Sequence, residues 1–480
     1  MTIKELMQQS GVKFGTSGAR GLAAAMTDGV CHAYTTGFLQ YLEEIGELKQ
    51  AGESVALAGD LRPSTGRIMA AVAQAVRDLG YVPVNGGRIP SPAVALWGLE
   101  KGIPAIMVTG SHIPADRNGI KFNKCSGEIL KSDEAGMMAQ TGTYREDISV
   151  DALPEENPAL GQQYVARYTA LFPADCLAGL RVGVYQHSAV IRDLLVDLLS
   201  ALGAAVVPLG FSDSFVPVDT EAIRPEDVAL AKTWAQEHVL DCIVSTDGDS
   251  DRPLISDENG TWLRGDVVGI LVARYLKASS VHTPVSCNTA VETCGWFEKV
   301  HRTRIGSPYV VASMQTAEAA GESGVVGYEA NGGFLMQSTF SLFGSELQAL
   351  PTRDAVLPML SVMLLAKERG ETISACVRAL PQRYTASDRI QDFPTDESGK
   401  ILEQLADEAA IEAVFGSLFG SVSTIDRTDG LRVTFESNEV LHLRPSGNAP
   451  EFRCYNEAAS LERVEEMQRL SMDKLVAMKG

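Results

Sequence analysis

Ser111 sits where the apolar run Ala105-Ile106-Met107-Val108, which reads as a buried strand, breaks into Thr109-Gly110-Ser111-His112-Ile113-Pro114. In an open α/β sheet the loops leaving the C-terminal ends of strands are where ligands bind. A hydroxyl there, with His112 beside it and Lys121 downstream, could form a covalent intermediate with proton-transfer help at hand. An ordinary strand-to-turn junction explains Ser-His alone better. The balance shifts because later loops supply a carboxylate cluster and a phosphate cradle.

Asp247, Asp249 and Asp251 alternate in one loop behind the apolar run Cys242–Ser245. Three carboxylates that close repel unless a cation neutralises them, and a hard divalent ion, Mg²⁺ before Ca²⁺, is the natural occupant. An EF-hand is excluded, because it needs a distant Glu and flanking helices whereas a strand precedes this loop. The rival reading is an acidic surface turn; the strand before the loop and Arg252 after it weigh against that. Arg444-Pro445-Ser446-Gly447-Asn448, with Arg453, brings guanidinium, hydroxyl, backbone N–H and amide donors together, as holding a phosphate monoester requires. On the glycine-rich turn Tyr328–Gly333, Glu329 could accept from sugar hydroxyls and Asn331, next to Gly332, could donate to them. A nucleophile, a metal site, a polyol-recognising carboxylate and a phosphate clamp make a combination suited to phosphoryl transfer on a phosphorylated sugar. In such transfers catalysis is mainly positioning and charge neutralisation.

The elements that must hold these loops follow a repeating pattern. Ser54–Ala58, a helix with Ile68, Ala71, Val72, Ala75, Val76 and Leu79 on one face, Tyr81–Val84, a helix over 92–100 and the 105–108 strand form a β-α-β-α-β run. A second cycle reads strand 181–185, helix 190–202, strand 205–209, helix 225–238 and strand 242–245. A third reads helix 267–276, strand 284–286, a helix around Trp296, a helix from Val310 and strand 325–327, and a long helix over 355–367 leads out of it. Beyond it, 422–425, 431–435 and 440–443 alternate like antiparallel strands, with a final helix from near Ser460. The expected fold is α/β: three similar layered domains with mixed sheets (1–155, 156–264, 265–384) and a smaller α+β domain (385–480), around a central cleft.

At 480 residues the chain exceeds one core of ordinary size. Its 45% hydrophobic and 21% charged residues are those of a soluble globular protein. A formal net charge of -20 speaks against nucleic acid or an acidic membrane as partner. Eight cysteines without a Cys-x-x-Cys pair, no apolar leader at the N-terminus and no apolar stretch of membrane-spanning length lead us to expect a cytoplasmic protein, monomer or homodimer.

The ordered set of motifs from Phe14 to Arg453 resembles the α-D-phosphohexomutases. Lys13-Phe14-Gly15-Thr16-Ser17-Gly18-Ala19-Arg20-Gly21 matches their first conserved loop, Thr109–Pro114 the phosphoserine loop, Asp247–Arg252 the metal loop, Gly327–Gly333 the sugar loop and Arg444–Pro450 the phosphate loop. The resemblance implies that Ser111 is phosphorylated and that Ser111, Asp247, Asp249 and Asp251 surround Mg²⁺. By the same match Arg20 and Lys121 serve proton transfer and Arg252 closes the metal loop. Glu329 would bind sugar hydroxyls, and Arg444, Ser446, Gly447, Asn448 and Arg453 would clamp phosphate. A hexose 1,6-bisphosphate activator follows from the same mechanism. Ile113, Asn331, Gly333 and Asn448-Ala449 depart from the usual Asn, Ser, His and Thr-Glu. The wording of the motifs looks most like the bacterial phosphomannomutase branch. Alternatives are a glucose- or glucosamine-phosphate mutase, a Mg²⁺-dependent phosphatase and a non-catalytic sugar-phosphate binder.

Overall fold

A computed structural model of the chain describes residues 1–15, 18–141, 144–446 and 450–478. The apolar run before Ser111 forms the strand Ala105–Val108, buried at every position. Its sheet is ordered Lys13–Phe14, Ala19–Leu22, Arg117–Lys124, Ala105–Val108, Ser54–Gly59, Val82–Asn85, with Gly127–Glu128 paired to Arg117–Lys124. Helix Thr65–Asp78 buries the apolar stripe expected of it, and helix Ser91–Lys101 starts with Pro92 in its first turn and stops at Gly102.

The strand Arg117–Lys124 is not evident from composition, because Arg117, Asn118, Lys121, Asn123 and Lys124 mask it. It returns antiparallel to Ala105–Val108, with Val108 opposite Ile120 and Met107 opposite Lys121. The two-residue period of a strand then decides where each side chain goes. Ile120 and Phe122 enter the apolar core, and Lys121 takes the other face, beside the Ser111 loop.

The second sheet, Pro253–Ile255, Cys242–Thr246, Arg181–His187, Ala205–Phe211, and the third, Lys299–Thr303, Ser280–Pro284, Val325–Tyr328, Phe334–Met336, Leu350–Asp354, repeat one device. In each of the first three sheets a buried strand with a parallel neighbour ends in a site loop and returns as an antiparallel strand. The third cycle corrects two sequence-based expectations. The strand placed at 284–286 is Ser280–Pro284, and the helix around Trp296 is the shorter Ala290–Thr293. Gly295, at φ +67, lies just past its end, and Trp296 packs its ring under Arg274, 3.7 Å from the guanidinium carbon.

The last unit is a five-stranded antiparallel sheet, Tyr384–Ile390, Phe452–Ala458, Val440–Pro445, Leu431–Phe435, Val422–Asp426. Its first two strands go unmarked in the sequence reading because charges interrupt their alternation. Helix Leu461–Ala477, capped by Ser460, covers it. One continuous apolar cluster runs through the first three sheets, while the last unit has its own around Phe393, Phe415, Phe435 and Phe452. Polar bonds join the two bodies: Glu457 accepts from Thr289 N at 3.2 Å and from Arg383 Nε at 2.6 Å, and Asp429 Oδ2 accepts from Ile305 N at 2.9 Å. Among the described residues no helix is long and apolar enough to cross a membrane.

Candidate active site

Ser111 is fully buried and sits at φ +58, a left-handed conformation that costs a residue with a Cβ about 1 kcal/mol. What holds it there is a buried pair, Asp60 and Arg62, from the turn that follows strand Ser54–Gly59. Asp60 Oδ2 accepts from Arg62 Nε at 3.0 Å and from Thr109 Oγ1 at 2.8 Å. Arg62 Nη2 donates to the Ser111 carbonyl at 2.8 Å and its Nη1 to the Pro114 carbonyl at 2.7 Å. Thr109 Oγ1 also accepts from the Ser111 N–H at 2.8 Å. The backbone is fixed at both ends, and the hydroxyl points away from it.

That hydroxyl meets the aspartate loop. Ser111 Oγ donates to Asp247 Oδ2 at 2.5 Å and lies 3.3 Å from His112 Nδ1. The loops approach so closely that a Cβ on Gly248 would stand 2.7 Å from the Ser111 carbonyl oxygen, so this position needs glycine. Arg252 Nη1 donates to His112 Nδ1 at 2.9 Å. Burial, helped by Arg252, pushes the imidazole down to about 3, which leaves it neutral at physiological pH. His112 therefore accepts from Arg252 and turns its Nε2 towards Asp219, 3.9 Å away.

Asp247, Asp249 and Asp251 are all buried, with one ligand atom from each within 4.8 Å of the others. Lys121 Nζ donates to Asp249 Oδ2 at 2.5 Å and to Asp251 Oδ2 at 2.6 Å, and Ser91 Oγ donates to Asp249 Oδ2 at 2.5 Å. The inner oxygens, Asp249 Oδ1 and Asp251 Oδ1, have no hydrogen-bond partner among the described residues. Arg252 Nε stands 3.7 Å from Asp251 Oδ1, and buried carboxylate oxygens without a hydrogen bond are costly unless a cation takes them. Burial raises Asp247 far above the usual carboxylate range, and its two neighbours raise it further; at Asp249 burial is outweighed by Lys121 and Ser91, and the net shift is down. The donor set fits a divalent, oxygen-seeking ion. Asp247, Asp249, Asp251 and Glu329 lie among Arg20, Lys121, Arg252 and Arg353, cationic side chains that can also take the charge of a phosphoryl group.

Arg20 lies on strand Ala19–Leu22 opposite Gly119. Burial and Arg252 lower it to about 10, against the pull of Asp249. On the sugar loop, Glu329 is buried and Gly332 N closes the turn onto the Glu329 carbonyl at 2.9 Å. Asn331 spends its amide oxygen on Gly333 N at 2.9 Å, which leaves its NH₂ to donate outward. Sequence reasoning missed Arg353, which reaches both loops: its Nε is 3.0 Å from Asp251 Oδ2 and its Nη1 3.3 Å from Glu329 Oε2.

In the last sheet Arg444 stands opposite Arg453, and Arg389 stands opposite Arg453 on the other side. Three arginines thus form a row on one face. Asp429 pairs with Arg444 at 3.0 Å, and Glu451 is shared by Arg453 at 3.2 Å and Arg389 at 3.4 Å. Like charges directly opposite on neighbouring strands repel, and Asp429 and Glu451 offset that repulsion here. Arg389 could have been found only by knowing the register of a strand the sequence did not reveal. Ser446, buried, donates its N–H to the Glu451 carbonyl at 2.8 Å. Gly447 and Asn448 lie outside the described residues.

Comparison with known proteins agrees with this geometry. Four models of the phosphoglucomutase/phosphomannomutase domains match in chain order: alpha/beta/alpha domain I at residues 11–146, domain II at 162–260, domain III at 264–384 and the C-terminal domain at 395–473. A phosphomannomutase of Salmonella muenchen is 44% identical over 463 residues, 95% of this chain and 94% of that protein. One of Sinorhizobium fredii (strain NBRC 101917 / NGR234) is 43% identical over 95% of this chain and 97% of its own. A crystal structure of a phosphoglucomutase/phosphomannomutase family protein from Burkholderia thailandensis shares the fold at a TM-score of 0.75, with 20% identity and 97% of each chain covered. With models matched over nearly its whole length and two relatives 43–44% identical across 95% of it, the chain belongs to the phosphoglucomutase/phosphomannomutase family.

Proposed function

We propose that this enzyme interconverts mannose 6-phosphate and mannose 1-phosphate through a phosphorylated Ser111. The observation that carries the reaction type is the contact of Ser111 Oγ with a buried aspartate cluster that also holds Lys121. The choice of mannose rests on the two relatives at 43–44% identity.

Ser111 carries the phosphoryl group, and Asp247, Asp249 and Asp251 would hold Mg²⁺, which when bound neutralises charge on the transferring phosphoryl oxygens. Arg444, Arg453, Arg389 and Ser446 hold the phosphate already on the sugar, and Gly447 and Asn448 complete that loop. Glu329, with the Asn331 amide and the turn at Gly332, holds the sugar hydroxyls and sets the free hydroxyl against phospho-Ser111. As the sugar oxygen bonds to phosphorus, the P–Oγ bond breaks. The sugar hydroxyl loses a proton and Ser111 Oγ gains one, so the proton balance closes inside the site. Lys121 and Arg20 relay that proton, and His112 and Arg252 keep the Ser111 hydroxyl oriented. The resulting hexose 1,6-bisphosphate turns end for end, its other phosphate returns to Ser111, and the same compound phosphorylates an enzyme that has lost its group. A soluble cytoplasmic monomer or homodimer supplying mannose 1-phosphate for GDP-mannose and polysaccharide synthesis fits this reading.

The test is a paired rate assay with Mg²⁺ and a trace of hexose bisphosphate. It compares mannose 1-phosphate with glucose 1-phosphate and follows free phosphate. Preference for mannose without phosphate release is expected. Equal or reversed preference would make it a dual or glucose-directed mutase, and stoichiometric phosphate release a phosphatase.

A further inference from the structure

Arg353 is 2% exposed, and a fully buried guanidinium demands an explanation, because its desolvation must be balanced by well-placed anions. Two of its anionic partners come from different loops, Asp251 of the metal loop at 3.0 Å and Glu329 of the sugar loop at 3.3 Å. A planar fork can hold two carboxylates at a fixed spacing, which a flexible ammonium cannot.

The side chain reaches them by a path the sugar loop keeps open. A Cβ on Gly333 would stand 2.5 Å from Arg353 Cδ and 2.8 Å from Cγ, so any larger residue would displace the stem. Both chain neighbours of Arg353 are anchored elsewhere. Thr352 Oγ1 donates to Glu128 Oε1 at 2.5 Å, on the first sheet, and Glu128 Oε2 accepts from Ser307 Oγ at 3.2 Å. Asp354, also buried, accepts from the hydroxyls of Tyr164, at 2.5 Å, and Tyr168. The backbone at 353 is thereby pinned on both sides, which is what a precise ruler between two loops requires.

Resting on the mutase reading above, we propose that Arg353 is the positioning residue that sets the distance between the phosphoryl group on Ser111 and the sugar on Glu329, and so the preference between epimeric hexoses. Asp251 ties it to the aspartate cluster on which Ser111 sits. By holding Glu329 Oε2 it fixes the direction in which Oε1 meets a sugar hydroxyl. Mannose and glucose differ in the orientation of one hydroxyl, so a carboxylate free to swing would tell them apart poorly.

The test uses Arg353→Lys and Arg353→Met in the full chain. Three quantities are read: kcat/KM for mannose 1-phosphate and glucose 1-phosphate, Mg²⁺ affinity by calorimetry without substrate, and melting temperature. For Arg353→Lys we expect a normal fold, a loss of about 10-fold or more in kcat on the preferred sugar, and a several-fold narrowing of the epimer ratio. For Arg353→Met we expect the same narrowing together with tighter Mg²⁺ binding, as loss of a neighbouring cation demands. An epimer ratio equal to the wild type's in both variants, with both sugars slowed alike, would overturn the proposal and leave Arg353 a structural residue. If Arg353→Met fails to fold, the lysine variant still decides. Absence of any mutase turnover in the wild type would instead sink the reading on which the proposal rests, while Mg²⁺ binding would still test the link to Asp251.

Discussion

Arg444 and Arg453 stand directly opposite one another on neighbouring antiparallel strands. With Arg389 beyond Arg453, the row has three guanidinium groups against the two carboxylates of Asp429 and Glu451, and we expect a phosphate to complete that balance. Arg453→Gln should leave the free protein as stable as before or about 0.5 kcal/mol more stable, and should abolish the rise in melting temperature on adding mannose 1-phosphate. Arg389→Ala should raise KM several-fold with kcat within about two-fold, the sign of lost uniform binding. A clear destabilisation of unliganded Arg453→Gln would show that the row is structural.

The strained backbone at Ser111 separates chemistry from stability. Ser111→Ala should lose at least about 10³-fold in turnover and still melt and bind sugar phosphate nearly as the wild type does. Ser111→Gly should be equally inactive yet about 1 kcal/mol more stable, because glycine adopts φ +58 without strain. Near-normal activity in either variant would remove Ser111 from the mechanism.

Lys121 neutralises the outer oxygens of Asp249 and Asp251 at 2.5 and 2.6 Å. Lys121→Met should leave the aspartate cluster with an uncompensated charge. We expect that protein to melt several degrees lower in chelator and to regain more stability from Mg²⁺ than the wild type does, as seen by scanning calorimetry with and without the ion. An equal gain in the two proteins would count against a shared role for Lys121 and the metal.

Burial pushes His442 down from 6.5 to about 4, while its Nε2 donates to the Asp429 carbonyl at 2.6 Å; His282 is likewise lowered to about 4 by burial and by His301. A histidine kept neutral when folded contributes stability above the unfolded value, and that stability is lost as pH falls through the window from 6.5 to 4. For His442 the loss is roughly 3 kcal/mol at the bottom of the window. A melting-temperature series from pH 7 to 4 should therefore fall more steeply in the wild type than in His442→Gln. Parallel curves would refute the assignment.

What the sequence showed of this site, and what it hid, divides by the range of the interaction. Ser111 and the Asp247–Asp251 alternation are local: a strand end and a few residues announce them. Lys121 was legible as a residue type but its direction was not, because that depends on a hairpin register set by Val108 opposite Ile120. Arg353 and Arg389 were invisible because their meaning lies in partners far along the chain, reached through strands whose charged residues blur the two-residue period. Asp60 and Arg62 carry no local mark of function; only burial reveals them as the brace beneath Ser111. Trp296 misled for the opposite reason, an aromatic side chain that suggested a helix where it lies against Arg274 instead.

The seams between the parts of this molecule are made of two materials. Opening an apolar seam costs free energy in proportion to the area wetted, so the apolar cluster shared by the first three sheets holds their loops in one casting. The seam to the last unit carries Thr289, Arg383 and Glu457 at one point and Ile305 with Asp429 at another, directional polar bonds in place of a shared apolar interior. Asp429 is also the carboxylate on Arg444. One carboxylate oxygen, Asp429 Oδ2, thus serves both the seam and the arginine row, so a phosphate arriving at Arg444 competes at an atom that also joins the last unit to the rest of the molecule.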